Sequence, residues 1–157
     1  PHRREPALTA VEIQTRLKEE RAALQAFIAL LEREQQILLA PDTEPLLDLS
    51  HEKTRAADAL SARVQQRTQY LPAQPGKTAE WLRQHAAIAL DVWQDIQRLG
   101  VQAQQLNKTN GELIQVRMRY NQQALQALLG ASEQTAGLYG PKGKTNLPTS
   151  GRPLGSG

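Results

Sequence analysis

Leucines at 17, 24, 31 and 38 recur every seven residues. With Ile13, Phe27 and Ile28 in the intervening turns, they line one face of a helix and no face of a strand. A seam of this kind must be buried against another helix, so the chain is constrained to a helical bundle. The start of the helix is also written in the sequence. Thr9 and Glu12 have the spacing of a capping box, and Pro6 precedes them. Ala40-Pro41 ends it, because the residue before proline avoids helical backbone angles.

Two further seams follow. Leu46, Leu49, Lys53, Ala56, Leu60, Val64, Arg67 and Leu71 alternate steps of three and four, with Asp42 or Thr43 expected as cap and Pro45 tolerated in the first turn. "LPAQPG" then breaks the chain, and Thr78 is expected to cap a third helix. That seam runs His85, Ala89, Val92, Ile96, Leu99, Ala103, Leu106, Asn110, Leu113, Arg117, Tyr120, Ala124 and Leu128 without slipping across Gly100 or Gly111. Each glycine costs about 1 kcal/mol relative to alanine, which packing can absorb. Gly130 is a natural stop. Trp81 and Trp93 read as packing residues.

The expected architecture is all-α: an antiparallel bundle of three long helices near 9–39, 45–71 and 78–129. The helical bundle spans residues 1–130, and a flexible, disordered Gly/Pro-rich tail spans 131–157. At 157 residues with 4% aromatics, the chain is one domain of helix-favouring composition. The helices measure roughly 45, 40 and 75 Å at 1.5 Å per residue. If helix two pairs with its own length of helix three, pairing ends near residue 104 and the rest overhangs. The overhang is apolar, with Leu113, Tyr120 and Leu128 on the seam and Ile114, Met118 and Leu125 in a second row. Leaving such side chains in water forgoes about 1.5–3 kcal/mol each. The segment from 105 to 130 therefore reads as a helix-binding surface.

Several functions find no support. Gly-Lys-Thr occurs at 76–78 and at 143–145, resembling the end of a phosphate-binding loop, but the opening glycine is Leu71 in one copy and Leu138 in the other. Neither copy has a strand before it. There is no cysteine, and His2, His51 and His85 are scattered, so no metal site, cofactor or catalytic group is expected. The formal charge of +3 resides in Lys142, Lys144 and Arg152; acids and bases balance elsewhere. No basic stripe suggests nucleic acid, and no apolar run suggests membrane insertion. "PHRREPALTAVEIQ" has charge without an apolar core, so no secretory signal is expected. The Asn107-Lys-Thr sequon reads as chance.

The segment "LNKTNGELIQVRMRYNQQALQALL", followed by "LYGPKGKT", resembles the FlgN family of flagellar export chaperones. The resemblance rests on Asn110, Gly111, Leu113, Ile114, Arg117, Tyr120, Asn121, Leu125 and Leu128, then Tyr139, Gly140, Pro141 and Gly143. Phe27 to Glu34 carries a weaker likeness. It implies a cytoplasmic, non-enzymatic type III export chaperone that binds the helical termini of the hook–filament junction proteins FlgK and FlgL before secretion and delivers them to the export gate protein FlhA. Partner-binding residues would be Leu113, Ile114, Arg117, Tyr120, Asn121, Leu125 and Leu128. The alternative from the residues alone is a structural or tethering coiled coil that forms a homodimer through the same surface, with Asn110 fixing register.

Overall fold

The computed structural model describes residues 7–72, 74 and 76–136, with side chains through residue 127. The described residues form four α-helices and no strands: α1 (Ala10–Leu39), α2 (Leu46–Tyr70), α3 (Thr78–His85) and α4 (Leu90–Ala136), with a 3-10 turn at Ala87–Ala89 before α4. The capping box at the start of α1 is formed. Glu12 N–H donates to Thr9 Oγ1 (3.1 Å), and Thr9 N–H donates to Glu12 Oε1 (3.3 Å).

The heptad leucines are the spine. Leu17 and Leu31 are 0% exposed, and Leu24 and Leu38 are also buried. Ile13, Leu17, Leu24, Ile28 and Leu31 of α1 pack with Leu71, Leu82, Ala86, Ala89, Val92, Trp93, Ile96, Leu99 and Ala103 in one core. Each buried leucine contributes about 1.5–3 kcal/mol, so α1 is the element around which the others are arranged.

Polar contacts fix the directions. Arg67 pairs with Glu20, Lys53 with Glu34, Arg63 with Glu19 and Arg33 with Glu52, so numbers fall along α1 as they rise along α2. These two helices are antiparallel. On the other flank Gln14 Nε2 donates to Ile88 O (3.1 Å), Arg21 pairs with Asp95 (2.8 Å) and Asn110 Nδ2 donates to Leu31 O (2.8 Å). Here the numbers rise together, so α4 runs parallel to α1. The expected pairing of the second helix with the last is therefore corrected. Both α2 and α4 pack on α1, and α2 and α4 make no extensive contact with each other.

The single third helix expected over 78–129 is also corrected, because the chain breaks after His85. Ala86 has φ −156° and ψ 61°, and no glycine or proline stands between Lys77 and Leu99 to mark it. Tertiary packing sets the break: Leu82, Ala86 and Ala89 are all buried, and the carbonyl of Ile88 accepts from Gln14 of α1.

At the other end, α4 runs through Gly130 to Ala136, so the helix invades the expected tail; residues 137–157 lie outside the described residues. A glycine within a helix costs about 1 kcal/mol and does not oblige it to stop.

The caps differ in detail. Pro45 occupies the cap position of α2, while Asp42 Oδ1 accepts from Glu44 N–H (2.9 Å). Thr78 is the first residue of α3, not its cap, and its hydroxyl donates to Pro72 O (3.4 Å). Gly76 takes φ 89°, the left-handed turn its sequence context suggested.

Candidate partner-binding surface

Because α2 and α4 diverge on α1, a groove of about 450 Å³ opens between them. Phe27 and Leu38 come from α1, Leu46 and Ala57 from α2, and Ile114 and Met118 from α4. Thr43, Ser50, Thr54, Asp58, Asn107 and Asn121 supply polar lining. The small Ala56 and Ala57 on α2 give the facing helix little to grip. Leu49 is the fully buried residue of α2.

A polar network crosses the three helices at the groove. Lys53 Nζ donates to both Glu34 oxygens (3.1 and 3.2 Å), and Asn110 Nδ2 donates to Glu34 Oε1 (2.9 Å) as well as to Leu31 O. Asn110 is 0% exposed, and its Oδ1 meets no donor. Replacing both partners of such a network by apolar groups can be tolerated, but removing one strands the other. It therefore specifies which residues of the three helices lie level with one another.

A second rung lies toward the other end. Arg67 Nε donates to both oxygens of buried Glu20 (2.9 and 3.1 Å), and its guanidinium lies 5.0 Å from the Trp93 ring centroid. Nearby, burial and then the Glu20 carboxylate push the Tyr70 hydroxyl up to about 12. Glu20 and Glu34, like Lys53 and Arg67, are fourteen residues apart, so the rungs repeat after two heptads.

The residues predicted to bind partners divide into three groups. Ile114 is 7% exposed and packs into the bundle, and Leu113 beside it is half-buried. Arg117 closes the end of α1. Its Nη1 donates to Leu38 O (3.3 Å) and Ala40 O (2.9 Å), and its Nη2 donates to Pro41 O (3.2 Å). These carbonyls stand at a helix C-terminus, where partners are lacking and positive charge is favoured. Tyr120 at 71% and Leu125 at 47% are exposed, as is Asn121, which reaches the groove. The side chain of Leu128, and all of Tyr139, Gly140, Pro141 and Gly143, lie outside the described residues.

The overhang is thus real but shorter than the lengths suggested. Residues 105 to 118 run beside α1, and α4 outlasts its neighbour only beyond Arg117, because α1 rather than α2 is the partner. By helical phase, Leu113 and Tyr120 share one flank of α4. Ile114, Asn121 and Leu125 share the flank that borders the groove. Sequence reasoning missed the other walls: Phe27, Leu38, Leu46, Lys53 and Ala57. The signal available was the weak seam of the second helix, in which Lys53 and Ala56 stand where a packed helix carries large apolar residues.

Among the described residues no group of acidic, histidine or cysteine side chains is placed to hold a metal, and no helix is long and apolar enough to cross a membrane. His85 is exposed and stacks on Trp81 with ring centroids 4.5 Å apart.

An open groove between two helices, beside a helix that continues past its end, offers the kind of surface on which an amphipathic helix can lie. The family model described as FlgN protein matches residues 9–147, nearly the whole chain. The chain belongs to the FlgN family, whose members are non-enzymatic flagellar export chaperones that bind hook-associated proteins. No curated protein and no solved structure matches it significantly.

Proposed function

We propose that this chain is a cytoplasmic chaperone that holds the hook–filament junction proteins FlgK and FlgL by their helical termini before secretion and delivers them to the export gate protein FlhA. Family membership supports the class of partner. The observation that carries the residue-level reading is the exposed end of α4, where Tyr120 and Leu125 stand in solvent on a helix that has outrun its bundle.

Leu113, Ile114, Arg117, Tyr120, Asn121, Leu125 and Leu128 form the proposed contact segment, in graded roles. Tyr120 is the anchor, offering a large rigid apolar face and a hydroxyl. Asn121 and Leu125 extend the contact along the groove flank. Ile114 and Arg117 act from beneath, one through core packing and the other by fastening the start of the overhang to the end of α1. Capture is helix on helix, through an apolar stripe that no other part of the same chain covers.

Co-expression with FlgK and FlgL followed by affinity capture tests the client assignment. Tyr120→Ala should weaken client binding by on the order of 2 kcal/mol, about thirtyfold. Its exposure makes the expected change in melting temperature negligible. Client binding that survives deletion of residues 119–157 would move the contact off the overhang and onto the groove walls.

A further inference from the structure

We infer that the groove between α2 and α4 is covered, in the free protein, by α4 of a second copy of this chain, the two helices running antiparallel about a two-fold axis near Asn121. This does not rest on the client reading; it concerns what the chain does alone.

Three observations lead there. The first is continuity. Ile114, Met118 and Asn121 line the groove, and Leu125 follows on the same flank, half-exposed where α4 has left α1 behind. The stripe does not end where the groove ends.

The second is length. The groove draws on α4 from Asn107 to Asn121, and α4 continues to Ala136. Each stretch is roughly 20 Å long at 1.5 Å per residue. An axis at Asn121 lays residues 121–135 of one copy over residues 107–121 of the other. Leu125 then faces Arg117 and Met118 across the axis. Each copy supplies one groove and one helix end that continues beyond it, so the pair closes with both grooves filled. Each groove becomes a four-helix arrangement of α1, α2, α4 and the second copy's α4. The chain cannot fill its own groove in this way, because α4 leaves the groove as one continuous helix.

The third is charge. From Tyr120 to Ala136 the sequence has Glu133 as its one ionised residue. The charged groups of the groove are already engaged: Lys53 with Glu34, and Arg117 with the carbonyls ending α1. Asp58 stands exposed, still in reach of water. A neutral Ala, Gln and Leu helix fits such walls, whereas a strongly acidic one would lose hydration without gaining a countercharge.

The natural chain has no cysteine, so one introduced thiol can form a disulfide only between chains. Asn121→Cys, at the axis, should cross-link under mild oxidation at least tenfold faster than Val101→Cys, a residue 55% exposed on the opposite face of α4. Sedimentation of the wild-type chain up to about 100 μM should show a dimer. Leu125→Asp should weaken it at least tenfold with helicity unchanged, since Leu125 lies outside the core. A monomer throughout that range overturns the inference, as does equal cross-linking at the two positions. A cross-link at Asn121→Cys that appears only with an added amphipathic peptide bearing its own thiol overturns it too, and assigns the groove to a foreign helix. A monomer that still captures its client would leave the proposed function standing.

Discussion

Lys53→Met asks whether the network beneath the groove is a desolvated ion pair or a wet one. Side-chain exposures of 12% for Lys53 and 8% for Glu34 place both largely out of solvent. Methionine keeps most of the aliphatic length, so the change removes the ammonium and little packing. Glu34 then retains a single side-chain donor, Asn110, at 2.9 Å. Breaking a buried pair from one side costs about 3–5 kcal/mol. The surviving Asn110 bond and the adjoining groove, which admits water, argue for the low end, about 3 kcal/mol. The double variant Glu34→Leu/Lys53→Met removes the stranded charge. It should recover part of the loss, giving a coupling energy of about 2 kcal/mol. Urea denaturation monitored by circular dichroism measures all three, with an unchanged slope expected if only stability moves. A loss under about 0.5 kcal/mol in the single variant would refute the reasoning. It would mean that Glu34 is hydrated through the groove and that the pair behaves as a surface one.

Other outcomes can be read with less effort. Arg98 first and Arg21 second, both hydrogen-bonded to Asp95, hold its carboxyl below the usual range. A depressed folded-state value means stabilisation that is present above the unfolded value of 3.8 and is lost as pH falls through the folded one. The stability advantage of the wild type over Asp95→Asn should therefore shrink steadily on acidification below about pH 4, and an advantage that persists in strong acid contradicts the assignment. In amide hydrogen exchange, α1 should be slowest, α2 faster because Leu49 is its one fully buried residue, and residues 119–136 fastest in any monomeric fraction. Equal protection of α1 and α2 would show that α2 is held by more than its ion pairs. Calorimetric titration with Mg-nucleotide should be flat, since Gly76 makes a plain left-handed turn into α3; binding abolished by Lys77→Ala would reopen the phosphate-loop reading.

Much of the fold could be read from the chain because it is written in local signals. The Thr9–Glu12 box, the heptad leucines, Pro41 and Gly76 act over a few residues, and each stands where its chemistry puts it. The break at Ala86 could not be read, since alanine, isoleucine and leucine are all compatible with a continuous helix and only the surface of α1 decides otherwise. Pairing was equally hidden. A seam of threes and fours announces that a helix has an inner face, not which neighbour meets it or in which direction. That gap carried over to the candidate surface. Taking the second helix as the partner of the last placed the end of pairing near residue 104, whereas α1 supports α4 as far as Arg117. The motif residues were found, yet their division into buried Ile114, engaged Arg117 and exposed Tyr120 depends on where α1 stops.

The parallel course of α1 and α4 bears on how the chain acquires its shape. Neighbouring helices of a simple up-and-down bundle meet across short loops, but Arg21 and Asp95 meet across seventy-four residues, as do Gln14 and Ile88. Closing so long a loop costs more entropy than forming a hairpin, so contacts of this kind come late and slow the reaction. On a ribosome the delay is set by synthesis. When α1 and α2 have emerged, the flank of α1 that carries Leu17 and Leu31 still awaits residues 82 to 114. A member of a chaperone family thus passes through an interval in which its own central helix lies half-covered.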